Sequence, residues 1–244
     1  MFIGMVFEAV IIISASTLLI LIFKKCLEKK HKLTLYLLII FLNFTIAIVF
    51  SWLSKVLRLY SGLDYLTNPS VKDPGTLESW FLLRIVAFRF TMIFVTIAIL
   101  FTYVLKINIF EKESNKIQKV IVFLYAGFSI VYMLFVYIKG NLLLDIVTFS
   151  IVLIYMSMIY IPFIIRSFKA YKGVEDSTFK KAFLSLIIMA ICLILIFICQ
   201  IIDRVLMIIL DISGYTFFYF LGWTFAIIAI LCAYLGYIRP KSKE

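Results

Sequence analysis

Eight ionisable residues lie in or beside long apolar stretches of this chain: Glu8, Lys55, Arg58, Arg84, Arg89, Asp145, Asp203 and Arg204. A charge held in hydrocarbon is costly unless it is paired or serves a ligand, so each is a candidate functional residue. Lys55 and Arg58 stand three residues apart and share a helical face, and Gln200, Asp203 and Arg204 fall within one stripe. The adjacent Asp203 and Arg204 point about 100° apart, which directs them to other helices rather than to each other. Five bases against three acids leave a surplus of positive charge. That surplus suits an anion such as a carboxylate, a phosphate or a lipid headgroup. The set predicts a polar cavity between helices. The structural alternative is that Lys55, Arg58 and Arg84 snorkel to headgroups while the acids and Arg89 tie helices together.

The elements that must carry these residues are membrane-spanning. Of 244 residues, 65% are hydrophobic and only 15% charged, with a mean hydropathy of +1.15. Soluble domains are about half apolar and about a quarter charged. Seven apolar segments are long enough for a bilayer core, which needs about twenty residues each. They run over about 2–23, 33–60, 80–106, 120–138, 142–167, 182–210 and 214–238. The fourth and fifth are joined by Lys139, Gly140 and Asn141, the sixth and seventh by Asp211, Ile212 and Ser213. The fold class predicted is an all-α bundle of seven transmembrane helices in a single domain.

Charge placement predicts orientation. The first, third and fifth connections hold five, four (Lys106, Lys112, Lys116, Lys119) and five basic residues, and the tail adds Arg239, Lys241 and Lys243. The opposite loops hold only Lys72 and Lys139. The positive-inside rule then places the N-terminus outside and the C-terminus in the cytoplasm, in a multi-pass protein of the cell membrane. Lys24, Lys25, Lys29, Lys30 and Lys32 follow the first apolar stretch rather than precede it, which reads as a retained helix and not a cleaved signal. On this topology all eight ionisable residues fall in the outer half, and the inner halves are nearly free of charge. Arg89 lies about ten residues into its segment, roughly 13 Å deep, and requires a partner among Asp203, Asp145 and Glu8.

Other features carry less. Ser61–Ser79, with Pro69, Pro74, Asp64, Asp73 and Glu78, is the longest polar stretch and reads as a lid or simply a long outer loop. Trp52, Trp80, Tyr60, Tyr65, Tyr215 and Tyr219 suit an interfacial belt, and Trp223 suits packing. Asn43, Ser150 and Ser157 are expected to hydrogen-bond to neighbouring helices. Cys192, Cys199 and Cys232 lie in apolar segments and Cys26 in a lysine-rich loop, without disulfide or zinc spacing; His31 is the sole histidine.

Several functions are excluded. Segment 214–238 contains no lysine for a retinal Schiff base at the usual position, and no paired carboxylates, His-Glu metal motif, Gly-rich phosphate loop or Ser-His arrangement occurs. No catalytic residue, metal or cofactor is expected, and the chain does not read as an enzyme. The net charge of +11 belongs to loops at a membrane surface, so no nucleic-acid partner is expected. A three-plus-one-plus-three repeat like that of small sugar transporters is poorly supported, because the outer connections differ in length and the paired helix-breaking prolines are missing. The topology alone resembles seven-helix receptors and the membrane-embedded sensor modules of microbial signalling. The expected function is a receptor-like sensor that binds an anionic or lipidic ligand in its outer half and signals through a cytoplasmic or membrane protein partner, surrounded by membrane lipids. The alternatives are a small-solute transporter or a structural subunit of a membrane complex.

Overall fold

A computed structural model describes residues 1–29, 32–68, 70–110, 116–211 and 215–238. Lys30, His31, Pro69, Lys112, Arg239, Lys241 and Lys243 lie outside the described residues. So do Ile212, Ser213 and the expected start of the last segment at Gly214.

The chain is all-α among the described residues, and seven of its helices are long and apolar enough to cross a membrane. The helices are α1 (Phe2–Lys29), α2 (Lys32–Tyr60), α3 (Asp64–Thr67), α4 (Leu77–Val86), α5 (Arg89–Phe110), α6 (Lys116–Phe135), α7 (Leu142–Gly173), α8 (Ser177–Ile209) and α9 (Phe217–Ala233). A π-helical turn, Tyr234–Ile238, continues α9. With 33 residues, α8 is roughly 50 Å long at about 1.5 Å per residue, well beyond the hydrocarbon core. Such a helix must tilt or project into the headgroup layer.

Side chains close the helix starts where the chain turns. Asn141 accepts from the Leu144 N–H before α7, and Asp176 from the Thr178 N–H before α8. Thr76 accepts from the Ser79 N–H before α4. In the loop ahead of α4, hydrogen bonding from the Ser79 side chain and from the Gly75 N–H holds the Asp73 carboxyl below the ordinary carboxylate range.

Packing joins the long helices into a closed ring. In spatial order, α1 packs on α2, α2 on α5, α5 on α7, α7 on α8, α8 on α9, and α9 back on α1. The fourth span, α6, stands outside this ring against α5 and α7. Its Phe123, Leu124, Phe128, Val131 and Phe135 are exposed, as suits side chains that face lipid. The dense part of the core is the seam of α5 with α7, where Ala98, Ile99, Val152, Tyr155, Met156 and Ile159 are wholly buried.

Two expectations are corrected. Segment 80–106 is not one helix: it divides into α4 and α5 at Ala87 and Phe88, where Phe88 takes a φ of 60°. A left-handed conformation in a bulky residue is strained and cannot continue a helix. Arg89 therefore opens α5 rather than lying ten residues into a helix. The second concerns charge: Lys106, expected in a basic loop, lies inside α5 with no exposure, its ammonium 5.0 Å from the centre of the Tyr103 ring. The half of the bundle that carries the basic loops is therefore not free of buried charge.

Candidate functional site

The eight ionisable residues gather at the end of the ring that carries the N-terminus. From α1, Glu8 reaches the centre of the bundle with no exposure. Its carboxylate accepts from the Lys55 ammonium at 2.7 and 2.8 Å, from the Ser51 hydroxyl at 2.9 Å and from the Tyr219 hydroxyl at 2.7 Å. One acid thus joins α1, α2 and α9. Lys55 also donates to the Ser51 carbonyl, so both members of the pair are satisfied where water is absent. Snorkelling does not describe Lys55, because its side chain is completely enclosed.

A second ion pair joins α5 to α7: Arg89 Nη2 donates to Asp145 Oδ1 at 3.3 Å. The positive φ of Phe88 turns the chain so that Arg89 enters the ring, where it is 1% exposed. Its Nε and Nη1 are buried without hydrogen-bond partners among the described residues. Asp145 also attracts Arg204 and Arg58 from beyond ion-pairing distance, so one carboxylate lies within electrostatic reach of three guanidinium groups and pairs directly with Arg89. Arg58 and Arg204 repel each other. Neither has a carboxylate within ion-pairing distance among the described residues, and the Nε of each is buried and unpartnered. Arg58 donates to the Val86 carbonyl at 3.3 Å, and Arg204 lies over the Phe88 and Phe149 rings at 5.2 and 5.9 Å.

The other two members have structural contacts. Asp203 Oδ1 accepts from the N–H and the hydroxyl of Thr216 at 2.8 and 2.7 Å, and Thr216 in turn caps α9 through the Phe218 N–H. Arg84 stacks on Trp80 at 3.7 Å and donates to the Leu134 carbonyl at 2.7 Å, which fastens α4 to the end of α6.

Next to the charges, towards the middle of the bundle, the ring helices line a partly open cavity of about 120 Å³. Helices α1, α2, α5, α7, α8 and α9 all contribute to its wall, together with Phe88 at the α4–α5 break. The lining is almost wholly apolar and includes Phe41, Phe44, Phe149, Phe197, Trp223 and Ala226. Ser51 and Gln200 line it as well, and each lies one helical turn before a cation of the cluster, Lys55 on α2 and Arg204 on α8. Phe88 stands between the two compartments: its ring lines the cavity and faces both the Lys55 ammonium, at 5.0 Å, and the Arg204 guanidinium.

Sequence reasoning missed Ser51, Phe88, Thr216 and the role of Tyr219. Tyr219 was expected in the interfacial belt, yet it is 2% exposed and holds Glu8. Asn43 bonds back to the Ile39 carbonyl of its own helix, not to a neighbour. The missing signal was three-dimensional in each case, although the four-residue step from Ser51 to Lys55 is visible in the sequence. Among known proteins, no family model, no curated protein and no solved structure matches this chain.

Proposed function

We propose that this protein is a receptor-like sensor module that binds an anion among Arg58, Arg89 and Arg204 and passes the change in helix packing to a protein partner at the basic end. The supporting observation is the imbalance around Asp145: three buried or half-buried guanidinium groups, one carboxylate, and unpartnered guanidinium nitrogens on all three arginines. Buried cations left uncompensated are expensive, and an arriving anion would supply the missing charge and the missing acceptors. Tyr137 and Tyr215 lie within electrostatic reach of Arg58 and offer further hydroxyls.

In this reading the N-terminal end faces outward across the cell membrane and the basic loops face the cytoplasm, where they dock the partner. The break at Phe88 is the element that an anion would bias, because it joins α4, whose last turn carries Arg84, to α5, which Arg89 opens.

The test is thermal stability of the purified protein with inorganic phosphate, sulfate, acetate and hexanoate. A ligand of the native state raises the apparent stability. A rise in wild type that is lost in Arg204→Gln supports the reading; no rise with any anion removes it. A second reading, a transporter, draws on the polar groups beyond the cavity: the buried Lys106 beside Tyr103, and the Thr102–Tyr160 hydroxyl pair at 3.2 Å. Anion flux in proteoliposomes would favour it over the sensor.

A further inference from the structure

We infer that the ligand is a single-chain amphiphile, its carboxylate held by Arg58 and Arg204 and its alkyl chain lodged in the cavity beyond Phe88. The inference rests on the anion-binding reading above and names the chemical class of that ligand. Charge alone would accept any small anion; the cavity narrows the choice. It lies directly beneath the cations, since Ser51 and Gln200 in its wall are one turn from Lys55 and Arg204. Arg204 faces two rings of its lining, Phe88 and Phe149, so guanidinium and apolar wall share a boundary. Arg204 is itself 9% exposed and its Nε has no partner.

Size sets the chain length. An apolar cavity of roughly 150 Å³ takes a guest the size of benzene, so about 120 Å³ takes about five carbons. The cavity's polar groups, chiefly Ser51, Thr45, Thr91 and Gln200, are spread around its wall. Among the described residues no charged group lines it, which disfavours a dianion or a sugar. A carboxylate followed by an unbranched chain fits both compartments at once. Phe88 lies where the first methylenes would pass, and its strained backbone makes it the side chain with a reason to move.

The experiment is equilibrium binding to the full chain in neutral-lipid nanodiscs, with empty nanodiscs as baseline. The probes are acetate, butanoate, hexanoate, octanoate, hexan-1-ol and inorganic phosphate. Affinity is expected to rise about fourfold per methylene and to level off between hexanoate and octanoate. Hexan-1-ol should bind at least tenfold more weakly than hexanoate, and Arg204→Gln should remove that difference. Ala226→Leu, which fills the cavity, should move the plateau to a shorter chain. If acetate or phosphate binds as tightly as octanoate, the amphiphile is wrong and the anion site stands. If hexan-1-ol equals hexanoate in wild type, the cavity binds but the anionic head is wrong. If no probe exceeds baseline, both readings fail; because the chain-length series uses wild type, misfolding of a variant cannot explain that result.

Discussion

The Lys55 ammonium lies 2.7 and 2.8 Å from the two carboxylate oxygens of Glu8, and neither side chain has any exposure. The pair joins α1 to α2 inside the ring, near the end that carries the N-terminus, and the carboxylate's remaining acceptor capacity goes to Ser51 and Tyr219. Removing one partner leaves a charge with no water and no counter-ion. Lys55→Met or Glu8→Gln alone should therefore lower stability by about 3–5 kcal/mol, and the double variant by clearly less than the sum. Reversible unfolding of the four proteins in detergent measures the coupling. Additive losses would mean that the pair contributes nothing as a pair.

Asp203 makes a different kind of contact. Its carboxylate oxygen receives both the N–H and the hydroxyl of Thr216, the residue that caps α9. Asp203→Ala should cost about 1–2 kcal/mol, the usual loss for a helix cap, and Asp203→Asn less because one acceptor oxygen remains. Neither should weaken anion binding more than twofold. A binding loss in Asp203→Asn comparable to that of Arg204→Gln would place Asp203 in the site itself.

Much of the architecture is legible in the sequence, because the apolar runs are long and the polar connections short, and a bilayer leaves helices as the only open choice. That the eight charges share one end of the bundle was also legible from position along the predicted helices; whether they converge was not. What the sequence does not carry is azimuth. Whether Glu8 meets Lys55 or Arg89 depends on which helices are neighbours in the ring, and no one-dimensional pattern specifies that α9 closes against α1. The break at Phe88 was hidden for a different reason: neither glycine nor proline marks it, and apart from Arg89 the residues from Ile85 to Phe90 are apolar. Lys106 misled because a lysine near a segment end usually reaches water, whereas here α5 continues to Phe110.

Close approach of α9 to α8 depends on two glycines. A Cβ on Gly236 would stand 2.6 Å from Cδ2 and 2.9 Å from Cγ of Leu186, with the Ala182 carbonyl at 3.3 Å. On Gly222 it would meet Cys199 Cβ at 3.3 Å. Small residues permit such helix contacts in a membrane, where tight packing replaces the hydrophobic drive. Gly236→Ala should destabilise by about 1–3 kcal/mol as an overpacking change, and Gly222→Ala by less. Adding Leu186→Ala to Gly236→Ala should restore part of the loss; a further decline would show that Leu186 is not the obstacle.

Arg204 and Asp145 should respond in opposite directions, and the difference separates a binding site from a structural strut. Asp145 ion-pairs with Arg89 and attracts Arg58 and Arg204 at longer range. Asp145→Ala leaves the buried Arg89 without its ion-pair partner and should cost about 3–5 kcal/mol. Arg204→Met removes one of the surplus cations, keeps an apolar stem against Phe88 and Phe149, and leaves Asp145 paired with Arg89. Its stability without ligand should stay within about 1 kcal/mol of wild type or rise, since stability spent on an unsatisfied functional charge is recovered when the charge is removed. Its stabilisation by hexanoate should vanish. Thermal unfolding of both variants, with and without hexanoate, reads all four quantities. If Arg204→Met instead loses as much stability as Asp145→Ala, Arg204 is an internal tie that the fold requires, and the charge surplus that supports anion binding has been miscounted.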